Sequence, residues 1–175
     1  TIFGLLYKIC DNGIIKEDLA LARDALLLLE NSSGTKKPDL RFQIARAYFD
    51  AGMKEQALST FEEIISESSA QEAYIAKADE FVRARFSPEE QAVFWQRAID
   101  KGCLSHLPWL YLGRALEAEG QPAAVAYRNA YTANKNDSEA ILCYATTNMD
   151  TVGAAEAIAL IQKALDSQPD LMPMA

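Results

Sequence analysis

The sequence predicts an all-α protein made of about five consecutive helix pairs. Three observations lead to this fold class. Small and large apolar residues recur with a period of about 34 residues, the length of one helix–turn–helix repeat. Proline stands where first helical turns are expected and glycine where helices should end, as shown by Pro88, Pro108 and Pro122 and by Gly13, Gly52, Gly102 and Gly120. No stretch shows the alternation of apolar and polar residues that is typical of strands.

Composition and charge limit the classes of partner. The chain has 175 residues, half of them apolar, and a net charge of −8 with one histidine. This acidic balance opposes binding to nucleic acid or to an anionic lipid surface. The apolar runs are interrupted by charges and stop short of the roughly 20 residues that span a bilayer. We therefore expect no nucleic-acid partner and no direct membrane insertion.

Two stretches show the repeat most clearly. In 138–171 the recurring positions carry Tyr144, Ala145, Ala157, Ile161, Ala164 and Pro169. In 38–71 the corresponding positions carry Ile44, Ala45, Tyr48, Gly52, Ala57 and Phe61. The small residues stand where the first helix of a pair should approach the second, and the aromatic residues fill the space between pairs.

This pattern resembles the tetratricopeptide repeat. The resemblance implies a solenoid of about five helix pairs, coiled as a right-handed superhelix. The predicted units are 1–32, 38–71, 72–105, 106–137 and 138–171 of a single array, with 33–37 as an insertion between repeats. Gly113 takes the small position of the fourth unit, which begins with Trp109, Leu112 and Leu116 in register. In the first unit Asp18 occupies a small position and departs from the pattern.

The third unit has two possible registers. Its first helix can face inward with Tyr74, Ala78 and Phe81, which needs an extra turn residue. It can instead face inward with Ile75, Ala78 and Val82, which puts Asp79 at the small position. Both registers stay open at the level of sequence.

Catalytic and metal-binding signals are weak. Cys10, Cys103 and Cys143 are odd in number and widely spaced, which favours buried free thiols. Cys103 and His106 could supply two metal ligands, whereas a structural zinc takes four. No phosphate-binding or nucleophile motif is present in the sequence. We therefore expect no enzyme activity, no metal and no cofactor.

The resemblance also implies a concave face lined by the first helix of each pair, helix A, along which partner peptides lie. The groove candidates are Phe42, Arg46, Phe49, Arg83, Leu110, Arg114, Glu117, Leu142 and Met149. The corresponding positions also include Phe3, Tyr7, Cys10, Asp50, Thr146 and Asp150. Arg46 and Arg114 share one repeat position, so they should point into one groove and could hold carboxylates. Alternatively, Phe42, Phe49 and Leu110 belong to the core between repeats.

The chaperone-binding members of this family read an acidic C-terminal tail with a lysine and two asparagines. In the second repeat those positions carry Phe42, Gln43 and Arg46, so recognition of that tail is disfavoured.

These observations predict a protein–protein interaction module, an adaptor or scaffold that binds a partner peptide or helix in the groove. Two alternatives remain. One is a structural array that self-associates through its chain ends, and the other is a regulatory or interaction arm of a larger multi-domain protein. The first residue is Thr1, and Leu171–Met174 starts another apolar segment, so we expect the sequence to be a piece of a longer chain.

Overall fold

The computed structural model describes residues 2–16, 18–67 and 72–167. These residues form eleven helices and no strand. The chain divides into two compact units, Thr1–Ala70 and Gln71–Ala175. The apolar segment predicted at 171–174 lies outside the described residues.

The first unit contains two helix hairpins. Its helices are α1 (Ile2–Ile15), α2 (Leu19–Ser33), α3 (Pro38–Asp50) and α4 (Lys54–Ser66). Helix α1 packs on α2 and α3 packs on α4, and α2 contacts α3. A continuous core of Cys10, Ala22, Leu26, Ile44 and Tyr48 joins the two hairpins.

The second unit continues the alternation of helices. Its helices are α5 (Glu72–Arg85), α6 (Pro88–Asp100), α7 (Leu107–Ala118), α8 (Ala124–Ala133), α9 (Ser138–Thr147), α10 (Met149–Val152) and α11 (Ala154–Ser167). Helix α6 packs on α7, α7 on α8, α8 on α9, and α9 on α11. The ring centroids of Trp95 on α6 and Tyr111 on α7 are 5.0 Å apart, and Trp95 is fully buried.

Most of the predicted helix boundaries are found. Pro88 and Pro108 lie in first turns, and Ser87 forms a capping box with Glu90. Gly52 and Gly120 end helices with φ of 77° and 69°, a left-handed conformation that glycine adopts without strain. The placement of Pro122 was wrong, because it lies in the loop before α8 rather than in the first turn.

Gly13 does not end a helix, because α1 continues to Ile15. A Cβ atom on Gly13 would lie 2.8 Å from the backbone nitrogen of Ala22, so the missing side chain lets α2 approach α1 closely. Asp18, which departed from the repeat pattern, caps α2 by accepting a hydrogen bond from the Leu21 N–H at 3.2 Å. The small pair at this crossing is therefore Gly13 and Ala22.

The third unit adopts the second of its two registers. Ile75, Ala78 and Val82 are at most 1% exposed, and Tyr74 is only half-buried. Asp79 consequently lies at the small position and is buried. This register therefore places a carboxylate against the neighbouring helices.

Five helix pairs would give ten helices, and Asn148 is the reason why the described residues form eleven. It is 3% exposed and separates α9 from α10. Its Nδ2 donates to the Ala124 carbonyl and to Thr147 Oγ1, both at 3.1 Å, and its Oδ1 accepts from Arg128 at 3.1 Å. The buried amide replaces part of the helical hydrogen bonding, so the expected single helix is interrupted.

A buried ion pair holds the insertion at 33–37. Arg41 donates to both carboxylate oxygens of Glu30, at 2.8 Å and 2.6 Å, and the Lys37 N–H donates to Glu30 Oε1 at 2.8 Å. Glu67 accepts from the same guanidinium at 3.0 Å. Burial alone would raise the pKa of Glu30, but the hydrogen bonds from Arg41 and Lys37 outweigh it and lower the pKa below its ordinary 4.5. The cluster therefore ties α2, α3 and α4 to the insertion.

We expect the thermal stability of the protein to fall as the pH drops below about 4.5. A carboxyl group whose pKa is lowered in the folded state stabilises that state above its unfolded pKa and loses this contribution as it is protonated. A loss of even about 1 kcal/mol would lower Tm by roughly 2–4 °C. Melts between about pH 3 and pH 7 would measure this. Glu30→Gln should flatten the dependence, whereas the exposed control Glu156→Gln should not, and equal slopes in both would refute the assignment.

Candidate functional site

A cleft opens between α1 and α3 in the first unit. Its volume is about 290 Å³. Apolar and polar side chains contribute to its lining, which consists of Ile14, Ile15, Gln43, Arg46, Ala47, Asp50 and Ala51. Both helices are the first of their hairpins, so the cleft lies on the face that the repeat pattern assigned to partner binding.

Arg46 lies at this cleft with its side chain exposed. Within the described part of the chain it forms no ion pair and no side-chain hydrogen bond, so its guanidinium is available to a ligand. Asp50 lies one helical turn further along α3 and is also exposed. Phe42 and Phe49 are half-buried; Phe42 packs edge-on against Phe61 at 4.9 Å, and Phe49 packs against the core. Both rings therefore contribute to the core, and part of each remains exposed at the surface.

Arg114 in the second unit has a different environment. Its guanidinium forms an ion pair with Glu139 on α9, lies 3.9 Å from Asp79 on α5, and lies 5.1 Å from the centre of the Tyr111 ring. Arg114 therefore links α5, α7 and α9, each of which is the first helix of its pair. Because its guanidinium already contacts these carboxylates, Arg114 is less available to a partner protein than Arg46 is.

Asp79 lies at the base of this network. Arg83 and Arg114 each approach its carboxylate to 3.9 Å. Burial raises the pKa of Asp79, and the two arginines only partly offset this effect. The two cations thus help to keep a buried charge in place, so Arg83 and Arg114 serve the internal electrostatics of the unit.

His106 forms a second bridge at the beginning of α7. Its Nδ1 lies 3.6 Å from Glu72 on α5, and its Nε2 lies 3.3 Å from Asp137, which precedes α9. The imidazole lowers the pKa of the Asp137 carboxyl. Asp137 also accepts the Ala140 N–H at 2.7 Å and caps α9. His106 therefore contributes to the packing of three helix starts.

The remaining candidate residues differ in exposure. Leu110 is 1% exposed and belongs to the core, so its side chain does not reach a partner. Glu117 accepts a hydrogen bond from the Tyr127 hydroxyl at 2.7 Å. Leu142 is half-buried, and Met149 is 50% exposed on α10.

The secondary candidates are also distributed between core and surface. Cys10 is fully buried, and burial followed by the nearby Asp11 charge raises its pKa to about 11. Tyr7 and Asp150 are exposed, and the Thr146 hydroxyl donates to the Leu142 carbonyl at 2.8 Å. The side chain of Phe3 lies outside the described part of the structure.

Two further features are absent from residues 2–16, 18–67 and 72–167. No group of three histidine, cysteine or acidic side chains is arranged to hold a metal ion there. No helix in those ranges is long and apolar enough to cross a membrane.

The chain matches no protein-family model and no curated protein sequence. Solved structures do resemble it, and they show that the chain has a tetratricopeptide-type fold, a solenoid of helix pairs. One is YrrB, described as a TPR protein with an unusual peptide-binding site, with a TM-score of 0.52 at 17% identity over 98% of this chain and 87% of YrrB.

The MamA proteins resemble the chain at a similar level. A MamA fragment from Desulfovibrio magneticus RS-1 has a TM-score of 0.51 at 11% identity, covering 99% of this chain and 98% of the fragment. Another MamA structure has a TM-score of 0.50 at 14% identity, covering 99% of this chain and 98% of that protein. At these identities the similarity shows the fold and no more.

Proposed function

We propose that this chain is a protein–protein interaction module, an adaptor or scaffold, that binds a peptide or helix of a partner protein on its helix A face. The first contact would be made at the cleft between α1 and α3. The observation that carries the proposal is Arg46, an exposed guanidinium that has no partner among the described residues, beside a cleft lined by apolar and polar side chains. The fold shared with YrrB, described as having a peptide-binding site, supports the same kind of ligand. The proposal assigns the chain no catalytic step.

The cleft suits side chains of a peptide better than a small molecule. Its volume of about 290 Å³ lies at the lower limit of typical small-molecule pockets, which begin near 300 Å³. Ile14, Ile15 and Ala47 offer an apolar floor, and Arg46 can hold a carboxylate by two hydrogen bonds. The expected ligand therefore combines a large apolar side chain with a nearby carboxylate.

Arg46→Ala should weaken binding of such a peptide by roughly tenfold or more. One charge-assisted hydrogen bond contributes about 1.5–3 kcal/mol, and about 1.4 kcal/mol corresponds to one decade in Kd. The probes are short synthetic peptides with one Asp or Glu beside Leu or Phe, each paired with its Asn or Gln counterpart. Fluorescence polarisation would show the parent preferring the acidic peptides and Arg46→Ala losing that preference.

Arg23→Ala is the matched control, because Arg23 is an exposed arginine on α2 and does not line this cleft. It should leave the affinity unchanged. If Arg46→Ala binds the acidic peptides as tightly as the parent, the cleft is not the site. If the parent binds none of these peptides, the proposed ligand chemistry is wrong.

Arg114 should behave differently in the same assay. Its partners are Glu139 and Asp79, so Arg114→Ala should lower the melting temperature while changing peptide affinity less than Arg46→Ala does. An affinity loss equal to that of Arg46→Ala would show that the partner displaces Glu139.

A further inference from the structure

The first hairpin carries an unusual share of exposed apolar side chains. Of the thirteen large apolar side chains that are exposed in the described part of the chain, seven lie on α1 and α2. Ile2 and Leu5 on α1 are 74% and 60% exposed, and Leu21 and Leu28 on α2 are 45% and 56% exposed. Exposed apolar residues grouped in this way mark interaction surfaces more often than scattered ones do.

These four residues lie on one side of the hairpin. Consecutive residues of a helix are rotated by about 100°. Ile14 lines the cleft towards α3, and Ile2 and Leu5 lie roughly 120–180° around α1 from it. Leu26 and Leu27 line a second cavity towards α3 and α4, and Leu21 and Leu28 lie on the far side of α2. We call the surface formed by Ile2, Leu5, Leu21 and Leu28 the end face.

The end face carries no net charge of its own. The charged side chains at its border are Lys8 and Lys16, on α1 and just beyond its end, and Asp18 and Asp24, just before α2 and on it, so the two signs balance. The whole chain has a net charge of −8, so two copies repel each other over most of their surfaces. An apolar face whose border charges balance is therefore a surface on which a second copy meets little repulsion.

We infer that the end face binds the end face of a second copy of this chain, giving a two-fold symmetric dimer in which each hairpin covers the other. Helices of 14 and 15 residues are roughly 20 Å long and pack about 10 Å apart, so each copy offers roughly 400 Å². Two such faces bury less than the roughly 1,200 Å² of a stable interface. The dimer is therefore weak. It leaves the cleft between α1 and α3 open, so this inference is independent of the proposed peptide binding.

Sedimentation velocity and light scattering on the whole chain, from about 1 μM to about 500 μM, test the dimer. The mass of the parent should rise from 19.3 kDa towards twice that value as concentration increases. The double variant Leu5→Lys, Leu28→Lys should stay at 19.3 kDa throughout. Because these lysines reduce the negative net charge, stronger repulsion between acidic chains would not explain a loss of association.

The matched control is Val125→Lys, Ile158→Lys, which changes two exposed apolar residues of α8 and α11 and should associate like the parent. Circular dichroism melts establish that each variant is folded, and Ile2→Gln, Leu21→Gln replaces the first pair if that variant is not. A parent that remains at 19.3 kDa at the highest concentration overturns the inference. End-face variants that associate like the parent, or a mass that grows beyond the dimer, also overturn it.

Discussion

We expect Arg41→Ala to lower the free energy of unfolding by about 3–5 kcal/mol, the usual cost of removing one partner from a buried ion pair. Glu30 is 4% exposed. Among the described residues it would keep the Lys37 N–H and the more distant Lys36 ammonium, 3.6 Å away. At roughly 2–4 °C for each kcal/mol, the melting temperature should fall by about 6–20 °C. Thermal and urea unfolding would measure both quantities.

Two further variants separate the effect of leaving the Glu30 charge unpaired from the effect of losing the packing of the Arg41 side chain. Lys36→Ala removes an exposed member of the same cluster and should cost no more than about 1 kcal/mol. Glu30→Met with Arg41→Met removes both buried charges while keeping much of the volume, and should recover most of the loss. If the double methionine variant is as unstable as Arg41→Ala, the isolated Glu30 charge is not the cause.

The fold was predictable because its signals are local. The small and aromatic positions of the repeat identify the buried face of each helix, and Ile44, Ala45, Ala145 and Ala157 are all found in the core. Most helix ends followed from proline and glycine, with Pro122 and Gly13 as the exceptions. Periodicity determines which face of a helix is buried, and this is sufficient for the class of fold.

The partners of charged side chains were not predictable in the same way. Glu30 and Arg41 are eleven residues apart and resemble solvated surface charges in the sequence. Arg46 and Arg114 occupy the same repeat position, yet one is exposed beside a cleft and the other contacts Glu139, 25 residues away. The repeat pattern gives the direction of a long side chain, but its partner depends on which residue the neighbouring helix presents there.

Gly13 shows a similar limit. Near the end of a predicted helix, glycine usually marks a left-handed terminus. Here its value is the absence of a side chain against Ala22, and helix α1 extends past it. Either role would place a glycine at this position, so the sequence does not distinguish them. The position of the neighbouring helix in the structure does.

The second large effect should come from Gly113→Val, which we expect to lower the free energy of unfolding by about 1–3 kcal/mol through overpacking. A Cβ atom at Gly113 would lie 2.6 Å from Cδ1 of the Tyr127 ring, and that ring is 1% exposed. The ring has little room to move, and displacing it would also strain the 2.7 Å hydrogen bond from its hydroxyl to Glu117. Thermal melts would measure the loss.

Ala118→Val is the matched control, since it adds the same branched side chain to an exposed position of α7 and should cost only about 0.5 kcal/mol. Tyr127→Leu reduces the obstructing ring, so Gly113→Val should cost less in that background than in the parent. Residues in contact show such non-additivity, typically by 0.5–3 kcal/mol. If instead the two substitutions are additive, or if Gly113→Val melts like the parent, α7 and α8 do not cross at Gly113 and the register of the fourth helix pair must shift.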